Sequence, residues 1–114
     1  MPSTTYELFR QAMAERKQVV CLYQGRRREL CPIILGMTDG REKALTYQFG
    51  GESSKPLRSP KERWRCLALA EVSAVELRDG PWHSGGSHSA AQTCIAEVHY
   101  DVNPQSPYSP SGRL

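Results

Sequence analysis

A chain of 114 residues has room for one domain with one modest hydrophobic core. With 39% hydrophobic and 24% charged residues it has a globular composition, which excludes a disordered chain. Its net charge of +3 falls short of a dedicated duplex-DNA binder, and its longest apolar stretches, Val19–Tyr23 and Cys31–Leu35, are too short to span a bilayer.

The N-terminal segment carries Glu7, Arg10 and Glu15 and no apolar h-region, so the sequence predicts no signal peptide and a soluble, cytoplasmic protein. Thr4 and Glu7 have the spacing of a capping box. Tyr6, Phe9, Ala12 and Met13 then recur at intervals of three and four, which draws the apolar stripe of an amphipathic helix. Such a short helix is marginal in water and must lie against other elements.

The period changes at Gln18. Val19–Tyr23 reads as a strand, Gln24-Gly25 as a turn, and Arg26–Leu35 as a second strand. Pro32 cannot donate to a ladder, which predicts an edge or a bulge there. Asp39-Gly40 supplies the positive φ angles of a tight hairpin, and Lys43–Phe49 forms a third strand. A loop follows over Gly50–Glu62, then strands at Trp64–Leu69 and Val72–Leu77. Residues 81–93 read as a Gly/Ser-rich linker. In the next segment Cys94, Ala96, Val98, Tyr100 and Val102 alternate with Ile95, Glu97, His99, Asp101 and Asn103, the period of a C-terminal strand over residues 94–103. Residues 104–114, with Pro104, Pro107 and Pro110, read as a disordered tail. The whole is mostly β (α+β), with a helix packed on a small, strongly bent antiparallel sheet or barrel of about five strands spanning residues 1–80.

The order of these elements resembles a WYL domain, the module found behind helix-turn-helix regions of bacterial transcription regulators. The helix ends in Ala12-Met13-Ala14-Glu15-Arg16-Lys17, and the first strand closes on Leu22-Tyr23-Gln24-Gly25. The second strand opens with Arg28 and reaches Pro32-Ile33-Ile34-Leu35-Gly36, and the fourth is Arg65-Cys66-Leu67-Ala68-Leu69 before Glu71-Val72. The likeness covers residues 8–78 and is to a stand-alone member, since the N-terminal segment holds one helix. The position of the family's Trp-Tyr-Leu triplet falls at Lys43-Ala44-Leu45, and Glu71 stands where the family has a second arginine. The resemblance implies an SH3- or Sm-like barrel that binds a small anionic ligand or nucleic acid as a regulatory switch.

Three groups of residues bear on chemistry. In a strand, Arg26 and Arg28 share a face that can hold a phosphate or carboxylate, with Glu29 as a local partner in the blander reading. Tyr47, Trp64 and Arg65 combine aromatic rings with a guanidinium, as stacking on a base requires. His83, His88, Cys94 and His99 match no zinc spacing, and the serines flanking His88 lack a positioned third group. Cys21, Cys31, Cys66 and Cys94 form no C-x-x-C pair and read as buried reduced thiols. Trp82 reads as the plug of a small core, and Lys55, Arg58 and Lys61 as a solvated loop.

No catalytic residue, metal or cofactor is expected. The expectation is a regulatory binding module for a small anionic ligand or nucleotide, clamped by Arg28 and Arg65 with Tyr47 packing on it and Arg26 as a further ligand-binding residue. Two alternatives are a single-stranded nucleic-acid binder using the same face, and an assembly protein that oligomerises by adding its C-terminal strand to a second copy.

Overall fold

The computed structural model describes residues 3–51, 64–82 and 94–102, and the backbone of 112–113. Helix α1 spans Thr4–Glu15 and buries Tyr6, Phe9, Ala12 and Met13, the stripe expected from their spacing. Its N-cap is Ser3 and not Thr4, because the Ser3 hydroxyl accepts from the Tyr6 N–H. Ser3 is held there from outside the helix, its N–H and hydroxyl donating to the Glu42 carboxylate. Arg16 ends the helix in the left-handed region, with φ of 52°.

Strands β1 (Gln18–Tyr23), β2 (Arg26–Thr38), β3 (Arg41–Gly51), β4 (Trp64–Ala68) and β5 (Val72–Arg78) form an antiparallel sheet in the order β4-β3-β2-β1-β5. Both hairpins are two-residue turns with positive φ, at Gln24 (54°) and Gly25 (76°) and at Asp39 (53°) and Gly40 (76°). That geometry matches the twist of the flanking strands. A single 3-10 turn, Leu69–Glu71, joins β4 to β5.

β2 and β3, at 13 and 11 residues, are longer than their hydrophobic runs suggest. β2 serves two neighbours on one side. Residues 26–30 pair with β1, and residues 34–37 pair with β6 (Glu97–Asp101). Pro32 lies in the gap between them, and the β2–β3 register shifts between Pro32 and Ile34. A residue without an N–H thus sits at a bulge, as expected of a proline in a strand. The C-terminal strand therefore returns to the sheet of its own chain. It is shorter than the alternation implied, and its register shifts between Leu35 and Gly36, so the strict alternation is not kept. Ile95 and Asp101 are the buried residues there. Strand β7, Gly112–Arg113, runs parallel to β6, which corrects the reading of a disordered tail at these two residues. The loop over 52–62 and the linker and tail residues 83–93, 103–111 and 114 lie outside the described residues.

The sheet buries two apolar clusters. The first lies under α1 and holds Phe9, Met13, Val19, Leu30, Leu35, Leu67 and Leu69. The second gathers Cys31, Ile33, Ile34, Leu45 and Ile95, with Tyr47, Trp64 and Trp82 packed against it. Trp82 is thus the plug the sequence suggested, with the Arg16 guanidinium over its ring.

The cysteines correct one expectation. Cys21 and Cys31 are buried thiols, but Cys66 and Cys94 form a disulfide across 28 residues of sequence. The pairing is long-range, set where β4 and the segment entering β6 converge, and spacing alone does not show it. Among the described residues no helix is long and apolar enough to cross a membrane.

Candidate anion-binding site

Cross-strand partners project to one side of a sheet. Tyr23 opposes Arg26, Cys21 opposes Arg28, Leu30 opposes Gln48, and Thr46 opposes Arg65. One face therefore carries Arg26, Arg28, Gln48, Thr46 and Arg65. Leu30 and Leu67 continue that face into the first apolar cluster, so the arginines sit at its rim.

Arg28 is the centre of this group and is only 4% exposed. Its Nη1 donates to Gln48 Oε1 at 3.2 Å, and its guanidinium carbon lies 5.5 Å from the centroid of the Tyr23 ring. Gln48 is itself held by donation from Nε2 to the Gly50 carbonyl at 3.0 Å. Tyr23 is fixed at its far end, its hydroxyl accepting from the Ala68 N–H at 3.3 Å and facing Glu71 at 3.4 Å. The buried Nε atoms of Arg28 and Arg65 have no hydrogen-bond partner among the described residues. On the backbone side, the Arg65 carbonyl accepts from the Thr46 hydroxyl at 3.1 Å.

The electrostatics are one-sided. Burial pulls the Arg28 pKa below the usual arginine range, and the charges of Arg65 and Arg26 pull it the same way. Cys21 and Tyr23 act in the opposite sense, and among the described residues no carboxylate acts on it. A buried cation costs several kcal/mol unless paired, and buried cations are ordinarily paired or hydrogen-bonded in full. Here two guanidinium groups on one face each keep a donor without a partner among the described residues, which is the chemistry that receives an oxyanion.

The structure thus brings together Arg28 and Arg65 and sets Arg26 beside them, but it places Tyr47 elsewhere. Tyr47 opposes Trp64, packs on it edge to face at 5.5 Å, and belongs to the second cluster. The odd-numbered neighbour of Thr46 and Gln48 must face away from them, so Tyr47 does not contact an anion held by Arg28. Tyr23 supplies the aromatic ring of the site instead. Arg27, on the opposite face from Arg26 and Arg28, pairs with Glu29 at 3.4 Å, and Glu29 also receives Arg78 at 2.8 Å. Tyr23 and Gln48 were missed by sequence reasoning. Gln48 had one usable signal: it keeps parity with Thr46 and Ala44, which made it a polar residue on an inward face.

The remaining candidates have structural partners. The Tyr6 hydroxyl lies 2.7 Å from His99 Nδ1, and His99 Nε2 is 3.6 Å from Glu97. Burial pushes the Tyr6 phenol up to about 12, which suits a latch between α1 and β6 and not a nucleophile. His83 and His88, and Lys55, Arg58 and Lys61, lie outside the described residues. At the triplet position, Ala44 is buried in the first cluster and Leu45 in the second.

No protein-family model, curated protein or solved structure matches the chain. The fold and the site define a helix packed on a bent antiparallel sheet, with an arginine-lined rim at one end of the core.

Proposed function

We propose that the chain is a non-catalytic, WYL-like regulatory module that binds a small anionic ligand or nucleotide between Arg28 and Arg65. One observation carries this reading: among the described residues the buried Nε of Arg28 and that of Arg65 both lack a hydrogen-bond partner, the charge of Arg65 acts on Arg28, and no carboxylate does. Gln48 and Tyr23 orient Arg28, Thr46 anchors the backbone of Arg65, and Arg26 adds long-range attraction. A small anion fits better than a single-stranded nucleic acid, because the Tyr47–Trp64 pair and the arginines occupy different faces. Strand addition to a second copy is disfavoured as well, since β6 already pairs with β2 of its own chain.

The test is thermal unfolding in phosphate and in chloride at equal ionic strength. With phosphate at about ten times its Kd, linkage adds about 1.4 kcal/mol, a rise of several degrees for a domain of this size. Arg28→Met and Arg65→Met keep much of each apolar stem and should abolish the difference. Equal melting of the parent protein in both salts overturns the reading. We place the protein in the cytoplasm, where disulfides are rare and those that form are ordinarily transient, catalytic or redox-sensing.

A further inference from the structure

We infer that the Cys66–Cys94 bridge regulates the anion site, so that its reduction weakens anion binding; this rests on the reading of Arg28 and Arg65 given above. Cys66 directly follows Arg65 on β4, a five-residue strand that pairs only with β3 among the described residues. Arg65 therefore sits on an edge, and its position relative to Arg28 on β2 is transmitted through β3.

The bridge supplies a second route between the same two strands. Cys94 enters the segment that becomes β6, and β6 pairs with β2 from Ile34 to Met37. β2, β3, β4, the disulfide and β6 thus form a closed circuit, and the two arginines lie on two members of it. Thr38 pins the Cys94 end, its hydroxyl donating to the Cys94 carbonyl at 2.9 Å and accepting from the Ala96 N–H at 3.0 Å. Opening the bridge leaves β4 tied at its far end by Leu67 in the core and by the Ala68–Tyr23 bond, while at its Trp64–Cys66 end the strand pairing is with β3 alone among the described residues, and Arg65 then samples positions from which it no longer faces the Arg28 site.

The step is a thiol–disulfide exchange. A thiolate of a dithiol reductant attacks one sulfur of the bridge, and the second thiol of the reductant displaces the mixed disulfide. Two electrons and two protons pass to the protein, giving two cysteine thiols and an oxidised reductant. Cys66 is exposed, so its sulfur can be reached, whereas Cys21 and Cys31 are buried and stay outside the exchange.

The experiment titrates inorganic phosphate into oxidised protein, dithiol-reduced protein and a Cys66→Ser/Cys94→Ser variant, by calorimetry, with circular dichroism checking the fold. Reduction should raise the Kd about tenfold, the loss of one charge-assisted hydrogen bond. The double variant should match the reduced protein whether or not reductant is present. Because the bridge acts through Arg65, Arg65→Ala protein should bind weakly and equally in both redox states. A Kd unchanged by reduction overturns the inference while leaving the anion site standing. A redox gap that persists in Arg65→Ala, or a reduced protein that unfolds outright, also overturns it. If oxidised protein binds no phosphate, the functional reading itself falls, and this inference with it.

Discussion

Reduction of the Cys66–Cys94 bridge should lower stability by an amount that follows from its place in the chain. The bridge closes a loop across a sequence separation of 28. In the chain-entropy account, such a loop removes about 12 cal/mol/K from the unfolded ensemble, or about 3.6 kcal/mol at 25 °C. The native structure keeps its other ties without the bridge: β4 remains paired with β3, and β6 with β2. Most of the loss therefore appears as a freer unfolded chain. With a urea m-value of about 2 kcal/mol/M, the midpoint should fall by about 1.5–2 M in a Cys66→Ala/Cys94→Ala variant. The assay is equilibrium urea unfolding of oxidised, reduced and doubly substituted protein, with tryptophan fluorescence and circular dichroism as probes. Reduced and substituted proteins should coincide. Four free thiols in the native protein under non-reducing conditions, or a midpoint indifferent to reductant, refutes the reasoning.

Ser3→Ala should cost about 1 kcal/mol by removing the helix cap, while Thr4→Ala should leave the urea midpoint nearly unchanged. At Gly36 an added Cβ would stand 1.9 Å from the Glu97 carbonyl oxygen and 2.7 Å from Ile95 Cγ2. Gly36→Ala should therefore displace β6 at a cost of about 3 kcal/mol, with amide protection lost at Val98–Tyr100 and kept in β1 and β5. Burial raises the Cys21 thiol from 9.0 to about 11, so the native state holds a proton that the unfolded chain has lost between those values. The linked stability is fully present below pH 9 and drains away as pH rises through 11, by up to about 3 kcal/mol. Unfolding midpoints at pH 8 and pH 10.5 should show this slope, and Cys21→Ala should remove most of it, the raised Tyr6 phenol leaving a smaller part above pH 10.

The parts of the fold that were legible in the sequence are those set by short-range chemistry. The stripe Tyr6, Phe9, Ala12 and Met13 is a local period, and all four are buried. The Gln24-Gly25 and Asp39-Gly40 turns are local φ preferences, and both adopt positive φ. What escaped depends on contacts far along the chain. Ser3 and Thr4 are both capping residues, Ser3 somewhat the better, and Glu42 on β3 holds Ser3 in place. The Cys66–Cys94 pair awaited the placement of β6. Within the site, Arg28 and Arg65 are legible as strand arginines, while Tyr47, an aromatic strand residue, is turned from them by its odd parity against Thr46 and Gln48. Tyr23 reaches Arg28 only because the β1–β2 hairpin sets it beside the rim.

Position 28 exposes a conflict between folding and binding that can be measured. Arg26, Arg28 and Leu30 share one face, and Leu30 already belongs to the first cluster. An apolar residue at 28 would carry that cluster one step further toward the turn, and nothing in the sheet register forbids it. The guanidinium instead loses its water beside Arg65 and Arg26, against which, among the described residues, it gains one bond to Gln48 and the ring of Tyr23. Those gains are about 1.5–3 kcal/mol for the charged hydrogen bond and about 0.5–2 for the cation–π contact, against a desolvation cost of several kcal/mol. Arg28→Met should therefore leave stability in chloride unchanged or raise it. In phosphate the order should reverse, because the parent protein gains the linkage that the variant lacks. Two denaturation curves that cross on exchanging the anion mark a cation retained for a ligand. A variant that loses about 3 kcal/mol in chloride would instead make Arg28 a structural residue, satisfied by Gln48 and Tyr23 alone.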